Sequence, residues 1–135
     1  MKTFFATLLA LALGVGQSAL GAEKKPKIVP NSPQAKAAIE KEIRFRLNKP
    51  KGTLTEADLE KVTALDLNRK KISDVGDLNG LKQVKWLWLN SNQIHDISAL
   101  KELKEITSLH LESNQLVDTD GLKELRQLKE LSINH

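Results

Sequence analysis

Apolar residues recur with a fixed period in the second half of the chain. Three segments repeat the same order of apolar and polar residues, and their equivalent leucines are 22 residues apart: Val62-Thr-Ala-Leu65-Asp-Leu67, Val84-Lys-Trp-Leu87-Trp-Leu89 and Ile106-Thr-Ser-Leu109-His-Leu111. A fourth copy begins as Leu128-Lys-Glu-Leu131-Ser-Ile133. Alternation with a period of two residues predicts a short β-strand in each copy, with the leucines pointing inward.

The second half of each unit spaces its apolar residues differently. In the second unit these residues lie mainly three apart, as Ile94, Ile97, Leu100 and Leu103. This spacing fits a compact 3₁₀ or irregular segment that leads back to the next strand. Because no single unit can bury such a wedge of side chains, a core forms only when the units stack.

The complete unit reads L-x-x-L-x-L-x-x-N-x-I-x-D-I-x-x-L-x-x-L-x-x. It resembles the leucine-rich repeat, most closely the short bacterial type of internalins and related secreted proteins. The resemblance covers roughly half of the chain closely and implies a binding module. It also implies an α/β solenoid, a short right-handed superhelix of about 3.5 repeats with parallel strands on its concave face and an N-terminal helical cap.

Asparagine follows the second and third strands, at Asn92 and Asn114. The resemblance implies that these two residues form a structural Asn ladder, buried at the turn and bonded to backbone groups. Lys70 takes that position in the first unit. A lysine ammonium cannot accept hydrogen bonds, so we expect a transitional first unit in which solvent reaches the Lys70 side chain.

An acidic residue recurs in each unit, as Asp74, Asp96 and Asp118. At this spacing we expect turn-forming side chains that accept hydrogen bonds from nearby backbone amides. A functional acid cluster is the weaker interpretation. Gly121 occupies the position of Ala99 in the preceding unit and is interpreted as structural.

The first 22 residues predict export. Lys2 precedes the apolar run 4–15, and small residues follow up to Gly21 and Ala22, either of which fits as the last residue before cleavage. This order is typical of a secretory signal peptide. About a dozen apolar residues are too few to span roughly 30 Å of hydrocarbon, so we expect no membrane insertion after signal removal. A secreted or periplasmic location follows.

Residues 23–32 are polar and interrupted by proline, which predicts a flexible leader. Its basic run is interpreted as a plain tether, with contact to an anionic envelope surface as the alternative. Ser32 and Pro33 suit the cap and first turn of a helix of about 14 residues. Its apolar face is formed by Ala35, Ile39, Ile43 and Leu47.

The segment Thr55-Glu-Ala-Asp58 predicts a second, short helix that begins with a capping box. We interpret residues 33–61 as an N-terminal cap that covers the open apolar edge of the first repeat. The repeats then occupy residues 62–135, as units 62–83, 84–105, 106–127 and the partial unit 128–135.

Composition narrows the classes of function. The net charge is +4 and falls to about +3 without the signal peptide, while charges alternate in sign along Glu40-Lys41-Glu42; neither property fits a nucleic-acid interface. The chain has no cysteine, so an exported form must be stabilised by its core alone. His95, His110 and His135 lie on different parts of the unit. No metal or other cofactor is therefore expected.

Both tryptophans, Trp86 and Trp88, occupy adjacent outward positions of the second strand. Tryptophan is enriched at binding hot spots, and exposed apolar patches mark interaction sites. The alternative is that the rings lie flat over neighbouring strands or are covered by the leader. The predicted ligand-binding residues are Asp66, Arg69, Trp86, Trp88, His110 and Glu112.

These patterns predict an exported leucine-rich-repeat protein that binds a protein or peptide, or a glycan, through its concave face. Catalysis is not expected, because His110 near Glu112 and Asp66 has no nucleophile, pocket or glycine-rich loop beside it. The alternative function is a truncated or self-associating structural module without a ligand of its own. Under this hypothesis, the backbone groups at the edge of the last strand are unpaired, which favours a homodimer through that edge.

Overall fold

The structure is a computed structural model that describes residues 27–134. The predicted signal peptide, the first part of the leader and His135 lie outside the described residues. The described chain contains two helices and four short strands: α1 (Pro33–Leu47), α2 (Glu56–Leu59), β1 (Ala64–Asp66), β2 (Trp86–Trp88), β3 (Ser108–His110) and β4 (Glu130–Ser132). A 3₁₀ turn precedes each of the last three strands: Val75–Leu78, Ser98–Glu102 and Asp120–Glu124.

The four strands form one parallel sheet in chain order. Leu65 pairs with Leu87, Leu87 with Leu109 and Leu109 with Leu131, so each unit supplies one strand in the register of the sequence repeat. The 3₁₀ turns pack on one another along the same direction. The leucine-rich-repeat solenoid predicted from the 22-residue period is thereby confirmed.

The core is a column of aliphatic side chains between the strands and the 3₁₀ turns. The inward strand residues Leu65, Leu87 and Leu109 are fully buried, and so are Ile97 and Leu100 of the return segment. Full burial of such a side chain stabilises a fold by roughly 1.5–3 kcal/mol. Leu131 of β4 is 43% exposed, so the column ends within the third unit.

The aspartate of each unit forms a turn, as its spacing predicts. Asp74, Asp96 and Asp118 each accept a hydrogen bond from the backbone amide two residues ahead, at 2.7–2.8 Å. In the first unit this bond orders the start of the 3₁₀ turn. The weaker interpretation, a functional acid cluster, receives no support from these contacts.

Helix α1 packs against β1 and covers the first edge of the sheet. The Ser32 side chain accepts a hydrogen bond from the Ala35 amide at the start of the helix, and Asn48 ends the helix in a left-handed conformation at φ 51°. Ile39 and Ile43 lie on its buried face. The Glu42 carboxylate accepts a hydrogen bond from the Asp66 amide at 3.3 Å. The helix thus meets both the apolar side chains and an edge amide of the first repeat.

The end of the leader is held to the first repeat by Asn31, which is only 6% exposed. Its Oδ1 accepts hydrogen bonds from the amides of Ser73 and Asp74, at 2.8 and 3.0 Å. Its Nδ2 donates to the Asp74 carbonyl and to the Asp77 carboxylate. Within the segment predicted to be a flexible leader, the Asn31 side chain thus satisfies backbone groups of a distant turn.

Asn92 lies buried between the first and second units. Its Oδ1 accepts hydrogen bonds from the amides of Lys70 and Ile72, at 3.0 and 2.9 Å. Its Nδ2 donates to the carbonyls of Leu67 and Leu89 at 2.9 Å. One side chain therefore satisfies four backbone groups of two units, while the Lys70 side chain is exposed.

Asn114 repeats the arrangement one unit later. It accepts from the Ile94 amide at 3.1 Å and donates to the carbonyls of Leu89 and Leu111, at 2.8 and 3.0 Å. Asn114 is more exposed than Asn92. We therefore expect water to replace its bonds more easily.

Replacing Asn92 by alanine is expected to destabilise the fold by more than about 3 kcal/mol, since each buried group left unpaired costs about 1–3 kcal/mol. Asn114→Ala should cost less. The exposed Asn79 is the control, because surface substitutions usually change stability by less than about 0.5 kcal/mol. Urea unfolding followed by circular dichroism measures the three free energies. Equal effects of Asn92→Ala and Asn79→Ala would contradict the role of this side chain.

Asp58 completes the capping box of α2 and forms an ion pair with Lys49. Its carboxylate accepts hydrogen bonds from Lys49 Nζ at 2.6 Å and from the Thr55 amide at 3.0 Å. The bond from Lys49, followed by the bond from the Thr55 amide, holds the pKa of Asp58 well below its ordinary value. The ionised carboxylate is therefore favoured in the folded state.

Asp58→Asn is expected to lower the Tm at pH 7. A depressed folded-state pKa stabilises the fold fully above the unfolded pKa of about 3.9 and loses that contribution as the pH falls below it. The difference in Tm between the parent and the variant should therefore narrow from pH 5 towards pH 2. Thermal unfolding across this range tests the expectation, and a constant difference would show that the charge of Asp58 contributes nothing.

Candidate functional site

The outward side chains of the four strands form three rows across the sheet. Strand pairing aligns the first two rows, and hydrogen bonds between the segments that follow the strands align the third. The rows are Ala64, Trp86, Ser108 and Glu130; Asp66, Trp88, His110 and Ser132; and Asn68, Asn90, Glu112 and Asn134. We call these twelve residues the strand face.

Trp86 is the exposed aromatic residue of the strand face, with 43% of its surface accessible. Its neighbours in the first row are Ala64 and Ser108. Both side chains are small, so neither can cover an indole ring. The backbone beneath Trp86 is fixed by the sheet and by the buried Leu87 that follows it.

Trp88 is half-buried and stacks on His110. The two ring centroids are 6.0 Å apart and the ring planes differ by 12°. The alternative interpretation of the sequence, in which the rings lie over neighbouring strands, therefore fits Trp88. It fits Trp86 less well. Trp86 is the more open of the two rings.

A polar cluster holds His110 in place. Ser108 is 4% exposed, and its Oγ lies 3.0 Å from both His110 Nε2 and Glu130 Oε2. The single hydroxyl proton of Ser108 is donated to Glu130, so the hydroxyl oxygen accepts from Nε2–H of His110. The cluster thereby connects β3 and β4 and fixes the ring on which Trp88 stacks.

The cluster differs from a catalytic triad. In a Ser-His-acid triad the hydroxyl meets Nε2 and the acid meets Nδ1, whereas His110 Nε2 faces both Ser108 and Glu130, the latter at 3.7 Å. The sequence predicted no nucleophile beside His110, whereas the structure places the Ser108 hydroxyl there. The position of Glu130 beside His110 was not predicted either, although Ser108 and Glu130 belong to one row. Asp66 and Glu112, the acids expected beside His110, form no hydrogen bond with it.

The other predicted binding residues occupy separate positions. Asp66 is exposed, and its Oδ1 accepts a hydrogen bond from the Asn68 amide at 3.1 Å. Glu112 lies in the third row. Arg69 is exposed but lies in the turn beyond that row, with its amide bonded to the Asn90 carbonyl at 2.9 Å. The structure thus brings five of the six residues onto the strand face and leaves Arg69 at its margin.

A second set of asparagine contacts crosses the strand face. Asn68 Oδ1 accepts a hydrogen bond from the Asn90 amide at 2.7 Å, and Asn90 Oδ1 accepts one from the Glu112 amide at 2.8 Å. The repeat pattern alone does not reveal these contacts. Their bonds extend the sheet beyond its regular strands and make the third row part of the rigid surface.

The turns that follow these rows adopt a left-handed backbone without glycine. Arg69, Ser91 and Ser113 occupy equivalent positions with φ of 58°, 58° and 56°. Each donates its amide to the carbonyl of the third-row residue on the next strand. The turn geometry is therefore the same in all three units although the side chains differ.

A cleft of about 620 Å³ lies beside α1 and is lined by residues that include Ala37, Lys41, Arg44 and Phe45. Phe45 is 71% exposed. The cleft is separate from the strand face, since none of its lining residues belongs to the three rows.

Within residues 27–134, no group of three or more histidine, cysteine, aspartate or glutamate side chains is arranged to hold a metal ion. None of the helices in that range is long and apolar enough to cross a membrane.

Comparison with known proteins identifies the repeat. A family model described as leucine rich repeats (2 copies) matches residues 82–124. The crystal structure of an internalin (inlF) from Listeria monocytogenes aligns with 32% identity and a TM-score of 0.66, covering 76% of this chain and 30% of the internalin. No curated protein sequence matches the chain.

A more distant neighbour shares the fold. The functional domain of InlJ from Listeria monocytogenes aligns with 19% identity and a TM-score of 0.60, covering 81% of this chain and 26% of that one. The chain spans less than a third of the length of either internalin. The InlJ alignment shows a shared fold, while the family-model match and the 32% identity to the internalin, together with the parallel sheet and its 22-residue register, show that this chain carries leucine-rich repeats of the internalin type.

Proposed function

We propose that this is an exported binding protein that captures a peptide segment of a partner protein on the strand face, with Trp86 as the central contact. The observation that carries the proposal is the 43% exposure of Trp86 on a sheet surface between two small side chains. Leucine-rich-repeat proteins are generally binding modules without catalytic activity, and the similarity to an internalin favours protein binding. Export is supported by the signal-peptide pattern of the first 22 residues.

Covering the exposed part of the Trp86 side chain would contribute substantially to the free energy of ligand binding. A tryptophan offers about 150–250 Å², so the exposed 43% corresponds to roughly 65–110 Å². At about 25 cal/mol per Å², covering that area contributes about 2 kcal/mol. This is close to a thirtyfold change in a dissociation constant.

The strand face is rigid, which lowers the entropic cost of binding. Trp88 stacks on His110, and His110 is held by Ser108. Asn68 and Asn90 bond the backbone of the third row. A surface already ordered before contact loses little side-chain entropy on association.

The dimensions of the strand face suit a short ligand segment. Four strands about 4.8 Å apart make a surface roughly 14 Å wide, which spans four to five extended residues at about 3.3 Å each. A glycan of a few units has a similar length and would also stack on an indole ring. A peptide is the primary candidate because of the internalin similarity.

A self-associating repeat module is the second candidate. Leu131 lies on β4, the last strand of the described sheet, and is 43% exposed. Exposed apolar side chains beside an edge strand favour pairing with another sheet. Sedimentation over a wide range of concentrations separates the candidates, since a concentration-dependent dimer that Leu131→Lys dissociates would support this one.

Panning a random 12-residue peptide library against residues 23–135 tests the primary candidate. We expect Trp86→Ala to weaken the selected peptides by roughly thirtyfold, the equivalent of about 2 kcal/mol. Trp88→Ala should weaken them less, because that ring already stacks on His110. Tryptophan fluorescence or calorimetry measures the affinities.

Phe45→Ala is the matched control, as it removes an exposed aromatic side chain that lies on α1 and outside the strand face. It should leave the affinities unchanged. Peptides that bind the Trp86→Ala variant normally but lose affinity for the Phe45→Ala variant would move the site to the cleft beside α1. A glycan array probed with the same variants covers the sugar alternative.

A further inference from the structure

We infer that the segment bound by the strand face carries lysine or arginine, and that one such cation lies against the ring of Trp86. The inference rests on the proposed function and adds the chemical class of the ligand. It is carried by the charges of the twelve side chains and by their positions around Trp86.

The strand face is acidic although the chain as a whole is basic. Its acidic residues are Asp66, Glu112 and Glu130, and it contains no lysine or arginine. The full sequence carries 21 basic and 17 acidic residues and a net charge of +4. The charge of this surface is therefore opposite in sign to that of the whole chain.

The acids border the exposed indole on two sides. Asp66 is on the strand next to Trp86 and one row away, a diagonal position typically about 7–8 Å distant. Glu130 shares the row of Trp86 two strands further on, roughly 10 Å away. The face of an indole ring attracts a cation within about 6 Å. A lysine or arginine on Trp86 would therefore lie within reach of carboxylates on both sides.

The three carboxyl groups still have acceptor sites that could receive hydrogen bonds from a ligand. The Glu112 side chain makes no hydrogen bond or ion pair with another described residue. Asp66 uses one oxygen for the Asn68 amide, and Glu130 is 65% exposed in its side chain while one of its oxygens accepts from Ser108. Each side chain has two carboxyl oxygens with several acceptor sites, so all three can accept further hydrogen bonds.

No lysine or arginine within the described range forms an ion pair with these three acids. The ion pairs of the described lysines and arginines involve other carboxylates, and the basic side chain recorded nearest to Glu130 is His110, at 3.7 Å. Lys85 and Lys129 precede β2 and β4 and belong to none of the three rows. A bound lysine or arginine would supply the missing charge, whereas an acidic segment or an anionic glycan would be repelled.

The experiment compares peptides and variants within one series. Peptides selected from the random 12-residue library against residues 23–135 are expected to be enriched in lysine and arginine. Each is then resynthesised with its basic residues replaced by glutamine, and we expect at least a tenfold loss of affinity. Raising NaCl from 0.05 to 0.5 M should also weaken the original peptides, because salt screens exposed charges.

The matched variants separate a local effect from a change in net charge. The triple variant Asp66→Asn, Glu112→Gln, Glu130→Gln should bind the original and the glutamine peptides about equally. The control triple variant Glu56→Gln, Glu60→Gln, Glu102→Gln removes three exposed acids outside the strand face and should keep the tenfold preference. If the first variant unfolds, the salt and glutamine series on the parent protein still decide the question.

The outcomes distinguish this inference from the proposed function. Peptides that depend on Trp86 but are not enriched in basic residues would overturn the inference and leave the proposed function standing. An unchanged preference in the strand-face triple variant would also overturn it. If no selected peptide depends on Trp86, the proposed function fails and the inference fails with it.

Discussion

Leucine burial between neighbouring units is the interaction on which the molecule depends. Leu65, Leu87 and Leu109 lie side by side in the sheet and are fully buried. A single unit has too little apolar surface to fold alone, so each unit is stable only against its neighbours. Because this requirement fixes the strand register, it also fixes which side chains share a row. The surface chemistry of the strand face thus follows from the packing beneath it.

Stacking of this kind leaves backbone groups in the turns without regular partners, and asparagine supplies the missing ones. Asn92 and Asn114 satisfy turn amides and carbonyls of adjacent units. Asn31 serves the turn of the first unit in a similar manner from outside the repeats. A side-chain amide both donates and accepts, which neither lysine nor aspartate can do at these sites. Polar bonding therefore completes a fold whose main stabilisation is apolar.

The sequence predicts the features that depend on period and misses those that depend on side-chain conformation. The alternation around Leu65, Leu87 and Leu109 determines strands, register and the outward position of both tryptophans. It does not determine that Trp88 stacks on His110 or that Ser108 turns towards Glu130. These contacts depend on the side-chain torsion angles, which the period of the sequence does not specify. Asn31 was missed for another reason. It precedes the repeats in a polar, proline-containing segment, and its partners lie 42 to 46 residues away.

The left-handed turns beyond the third row affect which residues can be substituted there during evolution. Arg69, Ser91 and Ser113 have the same backbone geometry but different side chains. A non-glycine residue in this conformation costs about 1–2 kcal/mol, and the fold tolerates that cost in the three units where this turn is described. The position therefore accepts chemically different residues without altering the turn. Substitutions at these positions, which lie in a line at the rim of the strand face, would change the contacts with a ligand without changing the fold.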